Sequence, residues 1–145
     1  FLPNIKIGKT RMRDIQMLET SITQGAFMPN GVNQAIIAIW ITIGLSVAAA
    51  LINRWLGEIS TAEFVWYIIV YSLVCIFPYK LGKGSNPARW VYTIFFAVSV
   101  IFMLGGVATD IPKADWVVSI IMVPIEIFAI FRLFQPEATI WFQQT

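Results

Sequence analysis

Apolar residues run almost unbroken through four stretches between about Gln34 and Phe134, separated by short polar punctuations. The stretches cover about residues 34–52, 61–78, 90–107 and 116–134. The hydrocarbon slab of a bilayer is about 30 Å thick and takes about 20 helical residues at roughly 1.5 Å each. No alternation of apolar and polar positions marks a membrane strand. The pattern therefore predicts an all-α polytopic membrane protein with four transmembrane helices, filling a domain over residues 33–135. Residues 1–32 form a polar, basic preface, and 136–145 a tail resting at the membrane interface.

The punctuation fits helix ends. Asn33 is placed to cap the first span and Asp115 the fourth. Ser60-Thr61-Ala62-Glu63 reads as a capping box opening the second. Asn86-Pro87 puts a proline in the first turn of the third, which ends at Gly105-Gly106. In the preface, Ile15, Leu18 and Ile22 recur at helical spacing. This fits an interfacial helix with Lys6, Lys9, Arg11 and Arg13 toward anionic lipid. A disordered basic tail accounts for the same residues. The preface is too polar for a signal sequence, and a start at Phe1 reads as a processed or truncated chain.

Composition sharpens the membrane assignment: 58% of residues are hydrophobic and 12% charged, against about 25% charged in soluble domains. Charge sets an orientation. Lys80, Lys83, Arg89, Arg132 and the basic preface fall on one side. Arg54 and Lys113 fall on the other, beside Glu58, Glu63, Asp110 and Asp115. The positive-inside rule puts both termini in the cytoplasm and both short hairpins outside. Trp55 and Trp116 mark the outer boundary, and Tyr79, Trp90 and Trp141 the inner one. The net charge of +2 gives no reason to expect nucleic acid as a partner.

Glu58-Ile59-x-x-Ala62-Glu63-Phe64-Val65 resembles Asp110-Ile111-x-x-Ala114-Asp115-Trp116-Val117, and the same ungapped register pairs Lys80 with Arg132. This reads either as tandem duplication of a helical hairpin or as two outer hairpins capped by similar chemistry.

The sharpest chemical signal is Glu126, which lies about eleven residues past Asp115, roughly 16 Å along the helix axis. An ionised carboxylate at that depth is expensive, so it faces a bundle interior, a partner or a water-filled cavity. Ser119 shares its helix face, and Pro124 frees the carbonyl of Ile120. Three roles fit. Glu126 carries protons or a cationic substrate. Alternatively it hydrogen-bonds a hydroxyl of Thr42, Ser46, Ser72, Thr93 or Ser99, or it meets another subunit. In the first span Gly44 and Ala48 form a small-xxx-small pair that admits another helix closely.

The chain has no histidine and one cysteine, Cys75. Histidine-ligated haem or zinc, histidine triads and internal disulfides are thereby excluded. GxSxG, HExxH and CxxC are absent, and the loop around Lys80–Arg89 lacks P-loop spacing. The outer carboxylates are accounted for by helix capping rather than a metal. The residues point to no enzyme, no metal and no cofactor.

Asn86-Pro87-Ala88-Arg89-Trp90, together with Leu133-Phe134-Gln135-Pro136 and Trp141-Phe142, resembles a loose group of small bacterial four-helix inner-membrane proteins. These carry "ARW" before helix three and "LF-x-P…WF" after helix four. The resemblance covers about residues 29–142 and implies no catalytic residue. On physical grounds Arg89 is placed to reach lipid phosphate, with Trp90 and Trp141 at the inner boundary and Trp116 at the outer one as interfacial anchors. The expected function is that of a non-catalytic membrane subunit, accessory or immunity-type protein acting through helix–helix contact. Its partners would be lipid and either another membrane subunit or a second copy. The alternative is a proton- or cation-coupled small transporter or channel using Glu126.

Overall fold

The computed structural model describes Met12, Ile15, Gln16, residues 27–105 and residues 111–144, with Lys113 described in its backbone alone. Most of the basic preface, including Lys6, Lys9, Arg11, Arg13, Leu18 and Ile22, lies outside the described residues, as do Gly106, Val107 and Asp110. With them go the interfacial-helix expectation, save Ile15, and the first residue of the repeat's second copy. The described residues form helices α1 (Asn30–Leu56), α2 (Thr61–Val74), α3 (Ile76–Gly82), α4 (Asn86–Leu104), α5 (Lys113–Leu133) and α6 (Pro136–Gln144), with no strand among them. Four helical stretches are long and apolar enough to cross a membrane: α1, α2 continued by α3 as Thr61–Gly82, α4, and Ala114–Leu133 of α5.

Local chemistry accounts for most boundaries. Ser60 and Glu63 make the expected capping box, with Glu63 N–H donating to Ser60 Oγ at 3.2 Å and Ser60 N–H donating to Glu63 Oε2 at 2.7 Å. Gly57, at φ 75°, ends α1 in the left-handed conformation, and Glu58 N–H donates to the Asn53 carbonyl at 2.9 Å. That bond closes the helix where its last carbonyls lack partners. The second span breaks at Cys75 because Pro78 has no N–H, and its ring crowds the carbonyl of Val74 four residues back.

Three boundaries differ from expectation. α1 begins at Asn30 with Pro29 as N-cap, so Asn33 lies inside the first turn. α5 begins at Lys113 with Pro112 as N-cap, so Asp115 sits in the first turn rather than capping it. Its carboxylate still meets the positive end of the helix dipole there. The expected interfacial tail is the helix α6, whose Ala138, Trp141 and Phe142 are buried against the bundle.

α1 is the hub, and its main partner is the antiparallel α5. Buried or half-buried residues of α1 toward α5 step alternately by four and three: Ala35, Ile39, Thr42, Ser46, Ala49, Asn53. Asp115, Ser119, Met122, Glu126, Ala129 and Leu133 of α5 step in the same way. Three contacts fix the register. Asn53 lies beside Asp115, Ser46 Oγ is 3.5 Å from Met122 Sδ, and Thr42 meets Glu126. The same register sets Ile39 opposite Ala129 and Ala35 opposite Leu133. A repeat of seven is that of shallow left-handed helix pairing. Lipid is as apolar as leucine, so close approach of small residues rather than hydrophobic burial holds such a pair. Near the start of α1 the approach is close: a Cβ on Gly31 would lie 3.5 Å from the Arg132 carbonyl oxygen and 2.9 Å from Gln135 Oε1, which would have to swing aside.

Candidate functional site

Glu126 stands at the middle of the α1–α5 seam, about 18 Å from the start of α1 when measured at Thr42, the residue it meets. Of the hydroxyls expected to reach it, Thr42 does so. Thr42 Oγ1 also donates to the Ile39 carbonyl at 2.9 Å. Ser72 and Thr93 are turned back on their own helices, donating to Ile68 and Arg89 carbonyls at 2.7 and 2.8 Å. Ser99 likewise donates to the Phe95 carbonyl, at 2.9 Å.

Beside Glu126 is a cavity of about 160 Å³ to which all four spans contribute. Thr42 and Ser46 line it from α1, Tyr71 from α2, Tyr92 and Ser99 from α4, and Glu126 from α5. Ser46 Oγ is within reach of Tyr71 and donates to the Thr42 carbonyl at 3.0 Å. Tyr92 is 3% exposed, and its hydroxyl is buried without a hydrogen-bond partner. A buried hydroxyl is rarely left unpaired, because its desolvation goes uncompensated. Tyr71 and Tyr92 were not among the residues singled out from sequence. Their signal was their place inside the spans, where tyrosine is out of its usual position in the interfacial belt.

Ser119 does share the face of Glu126. It lies about 10 Å away along the axis, opposite Ala49, too far for direct contact. At the acidic end of the seam Asn53 is fully buried beside Asp115, yet neither atom of its amide completes an aligned hydrogen bond. Among the described residues no group of three or more histidine, cysteine, aspartate or glutamate side chains gathers as a metal centre would.

The residues of the family-like motifs come together at the other end. Arg89 does not reach out to lipid phosphate. It is 4% exposed, and its Nη1 donates to the Leu133 carbonyl at 3.3 Å and to Thr139 Oγ1 at 3.2 Å. Its guanidinium lies 4.6 Å from the Phe134 ring centre and 5.0 Å from that of Phe142. Trp90 packs edge-on against Phe134, and Trp141 against Phe142. The motif is thus an internal clasp joining α4, the end of α5 and α6. Trp141 is buried within it, while Trp90 and Trp116 keep exposed faces.

Gly44 and Ala48 lie on the side of α1 away from the seam, both exposed, and a Cβ on Gly44 would meet no atom within 4 Å. Next to them an open, almost wholly apolar groove of about 490 Å³ runs between α1 and α5, with Ile37, Ile41, Pro124 and Phe128 among its walls. It is larger than the cavity at Glu126 but carries no chemistry.

No protein-family model matches the chain, nor does any curated protein or solved structure, which leaves the residues themselves to carry the functional reading.

Proposed function

We propose that the chain is a non-enzymatic integral membrane protein that binds a proton or a cation at Glu126 and passes it between helices. The observation that carries this is the cavity of about 160 Å³ beside the carboxyl group. A carboxyl serving only to join two helices needs one partner, and Thr42 supplies it. The space beyond that contact amounts to about five waters at roughly 30 Å³ each, and it is lined by further hydroxyls. An acid facing a cavity at membrane depth is where ions and protons exchange. The excess of lysine and arginine around the α3–α4 turn and the end of α5 supports a cytoplasmic position for that end.

The test is flux in proteoliposomes. Wild-type protein should dissipate an imposed pH gradient faster than empty vesicles, and Glu126→Gln should reduce that rate to background. Glutamine retains a hydrogen bond to Thr42, so unfolding should shift by no more than about 1 kcal/mol. Equal flux in the variant, or none in the wild type, would sink the reading.

A second reading, a subunit or accessory protein working through helix contact, is favoured by the uncovered Gly44/Ala48 face. On this reading a second membrane helix covers it. Gly44→Leu should then strip a co-purifying subunit, or a second copy, from the complex seen by native mass spectrometry. An unchanged complex removes that face from consideration.

A further inference from the structure

We infer that the cavity at Glu126 is a binding site for a small monovalent organic ammonium ion, about the size of one six-membered ring carrying an amine. The inference rests on the reading of Glu126 as a cation site and names its ligand class.

Charge comes first. Glu126 is the one charged group among the residues lining the cavity. Nothing cationic competes for it, so an ionised Glu126 calls for a cation from outside. The other titratable groups facing the space are the phenols of Tyr71 on α2 and Tyr92 on α4, and α1 contributes only Thr42 and Ser46 as polar groups.

The walls select the kind of cation. Divalent metal ions take about six or more oxygen ligands. Here the hydroxyls of Thr42, Ser46 and Ser99 are already turned to backbone carbonyls, and much of the remaining lining is aliphatic or aromatic. The rings of Tyr71, Tyr92, Phe95 and Phe96 border the space. Aromatic faces attract a desolvated ammonium, and they also suit its hydrocarbon body. Size agrees as well. A dry cavity of about 150 Å³ in another protein holds one benzene, against about 160 Å³ here. The independent sign of a ligand is Tyr92, whose buried hydroxyl has no partner. A ligand N–H bond to that oxygen, with a second to Glu126, would satisfy both groups.

One carboxyl cannot hold a proton and pair with an ammonium at once. Binding therefore displaces the proton whenever Glu126 carries one. Affinity rises with pH through that range, by up to about tenfold per unit.

The experiment is equilibrium dialysis of radiolabelled benzylammonium against the full chain in lipid nanodiscs, with empty nanodiscs as reference. Expected is saturable binding of one ion per chain that tightens as pH rises and that benzyl alcohol does not displace. Glu126→Gln should weaken it about tenfold or more, and Tyr92→Leu by about 3- to 30-fold. Thermal unfolding of both variants confirms that the bundle is intact. Binding that does not saturate, that benzyl alcohol displaces equally, or that survives Glu126→Gln overturns the proposal. Proton flux separates the two failures. Flux that depends on Glu126 without benzylammonium binding ends the ligand assignment and leaves the Glu126 site standing. Absence of both ends the site as well.

Discussion

Replacing Arg89 by alanine is expected to cost about 2–4 kcal/mol and to release α6 from the bundle. The guanidinium makes two hydrogen bonds, one to the Leu133 carbonyl at the end of α5 and one to Thr139 of α6. Charge-assisted bonds contribute about 1.5–3 kcal/mol each in favourable settings. Its faces lie against Phe134 and Phe142, for which desolvated cation–π contacts add about 2 kcal/mol. The positive charge also meets the negative end of the α5 dipole. Against these stands the desolvation of a buried cation, including an Nε without a partner, so the net is well below the sum. Arg89→Lys should rescue at most in part, since an ammonium can donate to two acceptors but has no planar face to lay against two rings. Detergent unfolding would read the stability. Limited proteolysis would show early cleavage within Pro136–Gln144. Wild-type stability and protection in Arg89→Ala would mean that the aromatic contacts alone hold α6.

That clasp shows what was and was not legible in the sequence. Arg89-Trp90, Phe134 and Trp141-Phe142 were visible as a set, yet tryptophan and arginine beside a membrane span read naturally as lipid anchors. Only the fold reveals that α6 turns back, because Pro136 both stops α5 and opens a new helix in a first-turn position where its missing N–H is harmless. Features set by local chemistry were legible, among them span lengths and the Ser60–Glu63 box. The packing face of α1 was harder. Lipid and protein interior are equally apolar, so hydropathy carries almost no directional signal. The seam was written instead in spacing: Thr42, Ser46 and Asn53 on one helix and Asp115, Ser119 and Glu126 on the other obey the same alternation of threes and fours. Gly44 and Ala48, chosen for size, fall on the opposite side. Glu126 was found by depth, but its tyrosine neighbours come from spans far away in sequence.

The register of that seam underlies every statement about Glu126, and an exchange of partners tests it. Ile39 is opposite Ala129, and both are buried. Ile39→Ala should cost about 1–3 kcal/mol, less than in a soluble core, because the transfer of methylenes from water drops out and the cavity term remains. Ala129→Ile should cost about 1–3 kcal/mol by forcing extra volume into a filled layer. In the double variant the isoleucine returns to the same layer from the other helix. The two costs should then cancel in large part, giving a coupling of about 2–3 kcal/mol. Pairing Ile39→Ala with a substitution at Ala138, buried in α6 rather than in this layer, should give simple addition within about 0.5 kcal/mol. Unfolding by graded detergent measures all of these. Additivity at Ile39 and Ala129 would shift the helices past one another, separate Thr42 from Glu126, and leave the carboxyl without the one partner that the present register gives it.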